Sequence, residues 1–155
     1  MKIAVIGTGR IGGTLGQRWR AAGHEVIYGS RTGSGTGPGG APIVSADDAV
    51  NRIGQPEVNS RAAVAAAAPG AGYVRAFNTL GWENFADPPP GAVLFFAADP
   101  GARPLAEELI TAVGLEPVFA GDAGACGTVD ALLPLWFALV QHNGGNRRIA
   151  LRITP

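Results

Sequence analysis

Sulfur is nearly absent from this chain. Its one cysteine, Cys126, allows no internal disulfide and no cysteine-built zinc site. The two histidines, His24 and His142, stand far apart and lack the spacing of metal ligands, so no metal is expected. Charge is sparse as well. It makes up 15% of residues, with 12 basic and 12 acidic groups dispersed along the sequence. Such a pattern leaves no basic footprint for nucleic acid and no patch for an anionic membrane. No unbroken apolar run of about 18 residues occurs, and the opening strand has no charged leader. Neither secretion nor a membrane span is expected, which leaves a cytoplasmic protein with a small-molecule partner. What the chain has in quantity is hydrophobic surface: 46% of 155 residues, enough for one domain with a real core.

The elements follow from periodicity and punctuation. Lys2 to Ile6 is a short β-branched run of the kind found in buried parallel strands. Ile11, Leu15 and Trp19 then repeat every fourth residue as a helix would, and Gly23 supplies its left-handed end. Glu25 to Tyr28 is a second strand. Gly29 to Pro42 is a glycine-rich loop, and Ser45 to Val50 reads as a short helix with Ser45 as its cap. Val58 to Ala68 is helical by alanine content, and 73–77, 93–97 and 116–120 read as strands. Pro104 opens a helix with Leu105, Leu109 and Val113 on one face, ending at Gly114. Thr128 to His142 is apolar on nearly every side, which predicts a helix buried all round, and Pro134 predicts a kink costing about 3 kcal/mol. Arg147 to Ile153 alternates like an edge or inter-subunit strand.

Chemistry enters at Gly7-Thr8-Gly9-Arg10-Ile11-Gly12. This G-x-G-x-x-G follows a predicted strand and opens a predicted helix, the context that makes the motif specific. Gly7 permits the tight turn, Gly9 lets a pyrophosphate approach the backbone, and Gly12 lets helix and strand pack closely. The first amides of the helix would face the phosphates, with Thr8, Arg10 and Ile11 lining the same turn. The second strand runs into Gly29-Ser30-Arg31-Thr32, without the carboxylate that an NAD ribose requires. A guanidinium and two hydroxyls suit a 2′-phosphate, so Ser30, Arg31 and Thr32 point to NADP(H). The predicted fold class is α/β. It is an abbreviated Rossmann-type doubly wound, mostly parallel sheet with a C-terminal apolar helix and edge strand. Residues 1–155 form a single dinucleotide-binding domain, with 128–155 as its dimerisation segment.

With those residues in view, the first 31 positions resemble the F420-dependent NADP oxidoreductase family. Val74 to Gly81 (VRAFNTLG) is similar to that family's strand end. Phe95 to Asp99 with the Pro104 helix, and Leu132 to Trp136 with Arg147 to Arg152, are similar to its later units. The resemblance implies NADP(H) and F420 as cofactors, with Phe77, Asn78 and Thr79 facing the nicotinamide and the second substrate. One segment departs from the pattern. Between Val50 and Val58 about two strands and a helix of the family are missing, since eight residues cannot hold a βαβ unit. The expected repair puts strand 73–77 beside strand 2–6.

The remaining candidates have plainer readings beside the functional ones. Trp82 and Trp136 could wall a flat substrate or simply pack. His142, at a helix end that favours its charge, and Asn78 are the candidates for catalysis, although such a histidine is usually structural. Cys126 reads as a small buried residue and Arg147 and Arg148 as solvated or interfacial. Hydride transfer asks little of side chains, because the cofactor carries it and the protein aligns two carbons. The sequence therefore predicts an NADPH-dependent oxidoreductase with a flat or small organic acceptor, acting as a homodimer. The alternatives are a dinucleotide-binding protein, or a recruited biosynthetic enzyme, that has lost hydride transfer.

Overall fold

The computed structural model describes residues 1–30, 43–45 and 60–154. It divides into two compact units, Met1–Ala71 and Gly72–Pro155. Each holds a three-stranded sheet. The α/β class is as the sequence predicts.

In the first unit β1 (Lys2–Ile6) leads through the glycine turn into α1 (Arg10–Ala21), which returns to β2 (Glu25–Ser30). β1 and β2 run parallel, Lys2 opposite Glu25 and Ile6 opposite Gly29. A third parallel strand, β3 (Ile43–Ser45), continues the sheet in the order β1-β2-β3. Ser45 therefore ends a strand. The rest of the helix predicted at 45–50 lies outside the described residues, as does the departing segment 50–58. α2 (Ser60–Ala67) is the predicted alanine-rich helix.

Burial in this unit comes from one face of α1. Leu15 and Trp19 are buried as their spacing requires, but Ile11, a turn earlier, is exposed beside the glycine turn. Gly23 takes φ +91° and ends α1, its amide donating to the Arg20 carbonyl at 2.9 Å. β1 is not the buried strand that its composition predicts. It lies at the sheet's edge, with Val5 buried and Ile6 53% exposed.

The second unit is built round β5 (Val93–Ala98), whose Leu94, Phe96, Ala97 and Ala98 are wholly buried. β6 (Glu116–Gly121) pairs with it in parallel, and β4 (Val74–Arg75) pairs with it antiparallel. The strand predicted at 73–77 is only two residues long, and its neighbour is β5. A left-handed residue at Phe77 (φ +62°) ends any further extension of β4.

Between β4 and β5 lies α3 (Trp82–Ala86), which the sequence does not announce, and between β5 and β6 lies α4 (Arg103–Val113). α4 buries Ala106, Ile110 and Val113, while Leu105 is exposed. The core stripe is thus displaced from the predicted Leu105–Leu109 face. Ala106 sits there because its small side chain lets the helix lie close to the sheet.

The apolar C-terminal stretch is two helices, α5 (Cys126–Asp130) and α6 (Leu132–His142). The break at Ala131 leaves Pro134 in the first turn of α6, where its missing N–H costs little, so the predicted mid-helix kink does not arise. Within the single chain the helix is buried on one face. Trp136 and Val140 face the core, whereas Leu135 and Phe137 are 49% and 47% exposed. The helical stretch Ala123–His142 is long and apolar enough to cross a membrane by length and composition. Only counted as unbroken apolar runs does it fall short, with Asp130 its one acidic or basic residue apart from His142.

The chain then returns as a strap, not the predicted strand. Trp136 Nε1 donates to the Ile149 carbonyl at 2.9 Å, Asn84 Nδ2 to Arg147 at 3.0 Å, and the Val93 amide to Leu151 at 2.9 Å. Arg147 pairs with Glu83 and Arg148 with Asp87 at the strap's outer rim.

Candidate functional site

The glycine turn of the first unit has a geometry that each residue explains. Gly7 takes φ +103°, a region costly for a side chain, and its amide donates to the Gly29 carbonyl at 2.9 Å. The turn is thereby tied to the end of β2. A Cβ on Gly12 would lie 2.3 Å from the Gly7 carbonyl oxygen and 3.2 Å from Val5 Cγ1, so α1 can seat on β1 only through glycine. Gly9 is the opposite case. Among the described residues nothing lies within 4 Å of a Cβ built there. Packing does not require this glycine, and the bare backbone faces open space.

Gly9 is also the N-cap of α1, with no side-chain hydrogen bond to the first turn. No acidic residue stands in that turn, while Arg18 and Arg20 occupy the last one. The first amides and the positive end of the helix dipole are left for an anion, and the cations at the far end suit the dipole. Arg10 stands at the first helical position. Thr8, Arg10 and Ile11 are all exposed around this cradle. The residues fit a diphosphate.

Sequence reasoning missed what holds α1 in register. Gly16 lies so close to β2 that a Cβ would stand 2.1 Å from the Tyr28 hydroxyl. Tyr28 is wholly buried and donates to the Gly13 carbonyl at 3.2 Å. Burial pushes its pKa above the ordinary tyrosine value, with Arg20 opposing more weakly. The signal was present as Gly12-Gly13 and Gly16 on one helical face. Of the residues proposed to read a 2′-phosphate, Ser30 ends β2, while Arg31 and Thr32 lie outside the described residues.

The second unit gathers a different group. β4 ends at Arg75, and the next turn contains Phe77 in the left-handed region, a conformation costing about 1–3 kcal/mol for a bulky residue. Packing holds it there: the Phe77 and Phe85 rings meet edge to face at 5.8 Å, and Phe85 is wholly buried. The turn presents Asn78, whose Nδ2 donates to Asp130 Oδ1 at 2.7 Å. Arg75 Nε donates to the same oxygen at 2.7 Å. Burial opposes the charge on Arg75, but the hydrogen bond and negative charge of Asp130 outweigh it and raise the pKa. Asn78 Oδ1 is buried and has no partner among the described residues. Thr79 is buried beside it in sequence.

Of the three residues predicted at this strand end, the structure ties only Asn78 to other polar groups. Arg75 and Asp130 were not predicted, because they lie 55 residues apart and each alone reads as an ordinary charge. His142 is exposed at the far end of α6, about 15 Å along that helix from Leu132, while Asp130 ends α5. Trp136 is buried and bound to the strap, with the Arg147 guanidinium 5.2 Å above its ring, which is a packing role. Among the described residues no cluster of histidine, cysteine or carboxylate could hold a metal.

Comparison with known proteins bears on the glycine turn and on the fold. Residues 2–37 match the model of the family "NADP oxidoreductase coenzyme F420-dependent". None of the curated proteins compared matches the chain. A crystal structure from Arthrobacter sp. FB24, of a protein provisionally named an F420-dependent NADP-reductase, aligns over 100% of both chains. It has a TM-score of 0.74 and 21% identity. A hypothetical protein from Sinorhizobium meliloti aligns over 97% of this chain and 95% of its own, with a TM-score of 0.66 and 22% identity. At those identities the likeness speaks for the fold. Over residues 2–37, which hold β1, α1 and β2, the chain is similar to that family, and over its length it has the α/β fold of both solved structures.

Proposed function

We propose that the chain is an NADP(H)-linked oxidoreductase that passes a hydride between NADP(H) and a flat or small organic acceptor of the F420 or flavin kind. The observation that carries this is the contrast inside the glycine turn. Gly12 is demanded by packing, whereas Gly9 is not and faces open space above an uncapped helix. Packing of α1 on β1 needs Gly12, while Gly9 keeps the backbone clear for a ligand. The family match over residues 2–37 supports the same reading.

In this reading the nicotinamide supplies the hydride when bound, and the chain's own residues bind and orient. Gly7, Thr8, Gly9, Arg10, Ile11 and Gly12 form the diphosphate cradle, and the first amides of α1 donate into it. Ser30, Arg31 and Thr32 are assigned to the 2′-phosphate on sequence grounds, since a fork of donors and no carboxylate suits that group. Phe77, Asn78 and Thr79 are assigned to contact a bound small molecule in the second unit. His142, as an acid, and Asn78 are the candidates for catalysis. The exposed Leu135 and Phe137 on α6 support a homodimer, with the cytoplasm as the working compartment.

Titration with NADPH and NADH, followed by incubation of the NADPH complex with F420, flavins and small carbonyl or imine compounds, tests this. NADPH should bind more tightly than NADH and be oxidised by one member of that panel. Arg31→Ala should weaken NADPH by about 1.5–3 kcal/mol and leave NADH nearly unchanged. Tight NADPH binding with no oxidation would favour a dinucleotide-binding or recruited biosynthetic protein, and no binding at all would sink the reading.

A further inference from the structure

We propose that the Asn78 side-chain oxygen is the acceptor for a planar, neutral N–H group of the bound small molecule. Asp130, gripped by Arg75, is then the positioning residue that keeps that oxygen turned outward from the cluster. The nature of the ligand rests on the NADP-linked reading above, while the geometry belongs to the second unit alone. An ionised carboxylate has acceptors only, so the group that Asn78 turns toward Asp130 Oδ1, at 2.7 Å, must be its NH2. Arg75 Nε, at 2.7 Å from the same oxygen, holds the carboxylate in place.

The amide is planar, so fixing Nδ2 fixes Oδ1 on the opposite side. That oxygen is buried and without a donor among the described residues. The strained Phe77 turn, pinned by the Phe85 ring, leaves the side chain no easy retreat. A phosphate, a carboxylate or a ketone oxygen would meet a lone pair there, whereas an amide or imide N–H would be accepted. Two sources have that chemistry: the carboxamide of the nicotinamide ring and the imide of a flavin-like acceptor.

Ligand pairs that differ only in this group provide the test. NADPH is compared with its acetylpyridine analogue, in which a methyl replaces the amide NH2, and riboflavin with its imide N-methyl derivative. The wild-type chain should prefer the N–H member of one pair by about tenfold, and the pair that shows this names the source. Asn78→Ala should bring that ratio to about one. So should the nearly isosteric Asp130→Asn, which frees the amide to turn over, while Asp130→Glu should restore part of the preference. A purely structural role would weaken both members equally and leave the ratio unchanged, which overturns the inference and leaves the NADP-linked reading standing. Absence of any N–H preference in the wild type overturns it too. A wild-type chain that binds neither pair overturns both.

Discussion

The chain builds the same strand–helix–strand unit twice, and the two turns differ in what fills them. In the first, β1 passes through the glycine turn to α1 and back to a parallel β2. In the second, β5 passes through Asp99-Pro100-Gly101-Ala102 to α4 and back to a parallel β6. The first turn is bare at Gly9 and carries no acid. The second is closed by its own atoms: the Asp99 carboxylate accepts from the Tyr73 amide at 2.8 Å, and the Ala102 amide donates to the Asp99 carbonyl at 2.8 Å. Gly72 lies against Ala102, where a Cβ would meet it at 2.8 Å. Arg103 at the head of α4 is paired with Glu107 and stacked on Phe119 at 4.2 Å. A shared architecture therefore supplies a helix N-terminus in both places, and local residues decide whether an anion can reach it.

Five substitutions would break or sharpen that contrast, the largest effect first. If the second unit is chiefly a packed body, its weak point is Phe85, which is wholly buried. Phe85→Ala should cost about 3–5 kcal/mol in urea unfolding and lower hydrogen-exchange protection in β5 and α4. Gly12→Ala forces a methyl onto the Gly7 carbonyl and should cost about 1–3 kcal/mol. A midpoint shifted by less than experimental error would show that α1 can lift off β1 freely.

Gly9 and Gly101 make the matched pair, since neither has a described atom within 4 Å of an added Cβ. Alanine at either should leave folding nearly unchanged. NADPH affinity should fall about tenfold, or about 1.4 kcal/mol, for Gly9→Ala and stay constant for Gly101→Ala. Equal responses would erase the proposed difference between the two turns.

The smallest effect concerns Tyr28. Its pKa is raised by burial above the ordinary 10.0, so the folded chain keeps this proton more tightly than the unfolded one. Stability is accordingly full below pH 10 and falls as pH rises beyond it toward the folded pKa. Tyr28→Phe should cost about 1 kcal/mol at pH 7 through the lost bond to Gly13, and should remove this residue's share of the alkaline loss. Urea unfolding at pH 7 and pH 11 measures both. An unchanged alkaline slope would place the loss elsewhere.

Much of the first unit was legible in the sequence because its signals are local. The β-branched run of β1, the three glycines and the Gly23 end all act within a few residues of themselves. Burial was less legible. Ile11 continues a perfect helical stripe and is nevertheless exposed, because the stripe outruns the sheet beneath it. In α4 the core took Ala106 and Ile110 where the larger Leu105 looked inward on paper, since close approach to β5 favours the smaller side chain. β3 was read past because a three-residue strand flanked by glycine-rich sequence carries too little periodicity to register.

The sequence by itself determined the glycine turn after β1, because Gly7 and Gly12 meet a backbone angle and a clearance that no other residue can. Only the tertiary structure decided that Arg75, Asn78 and Asp130 form one group, that Trp136 anchors a strap, and that α6 turns Leu135 and Phe137 outward. Those are contacts between residues far apart in the chain. Which of them form depends on how whole elements pack, and no local pattern encodes that.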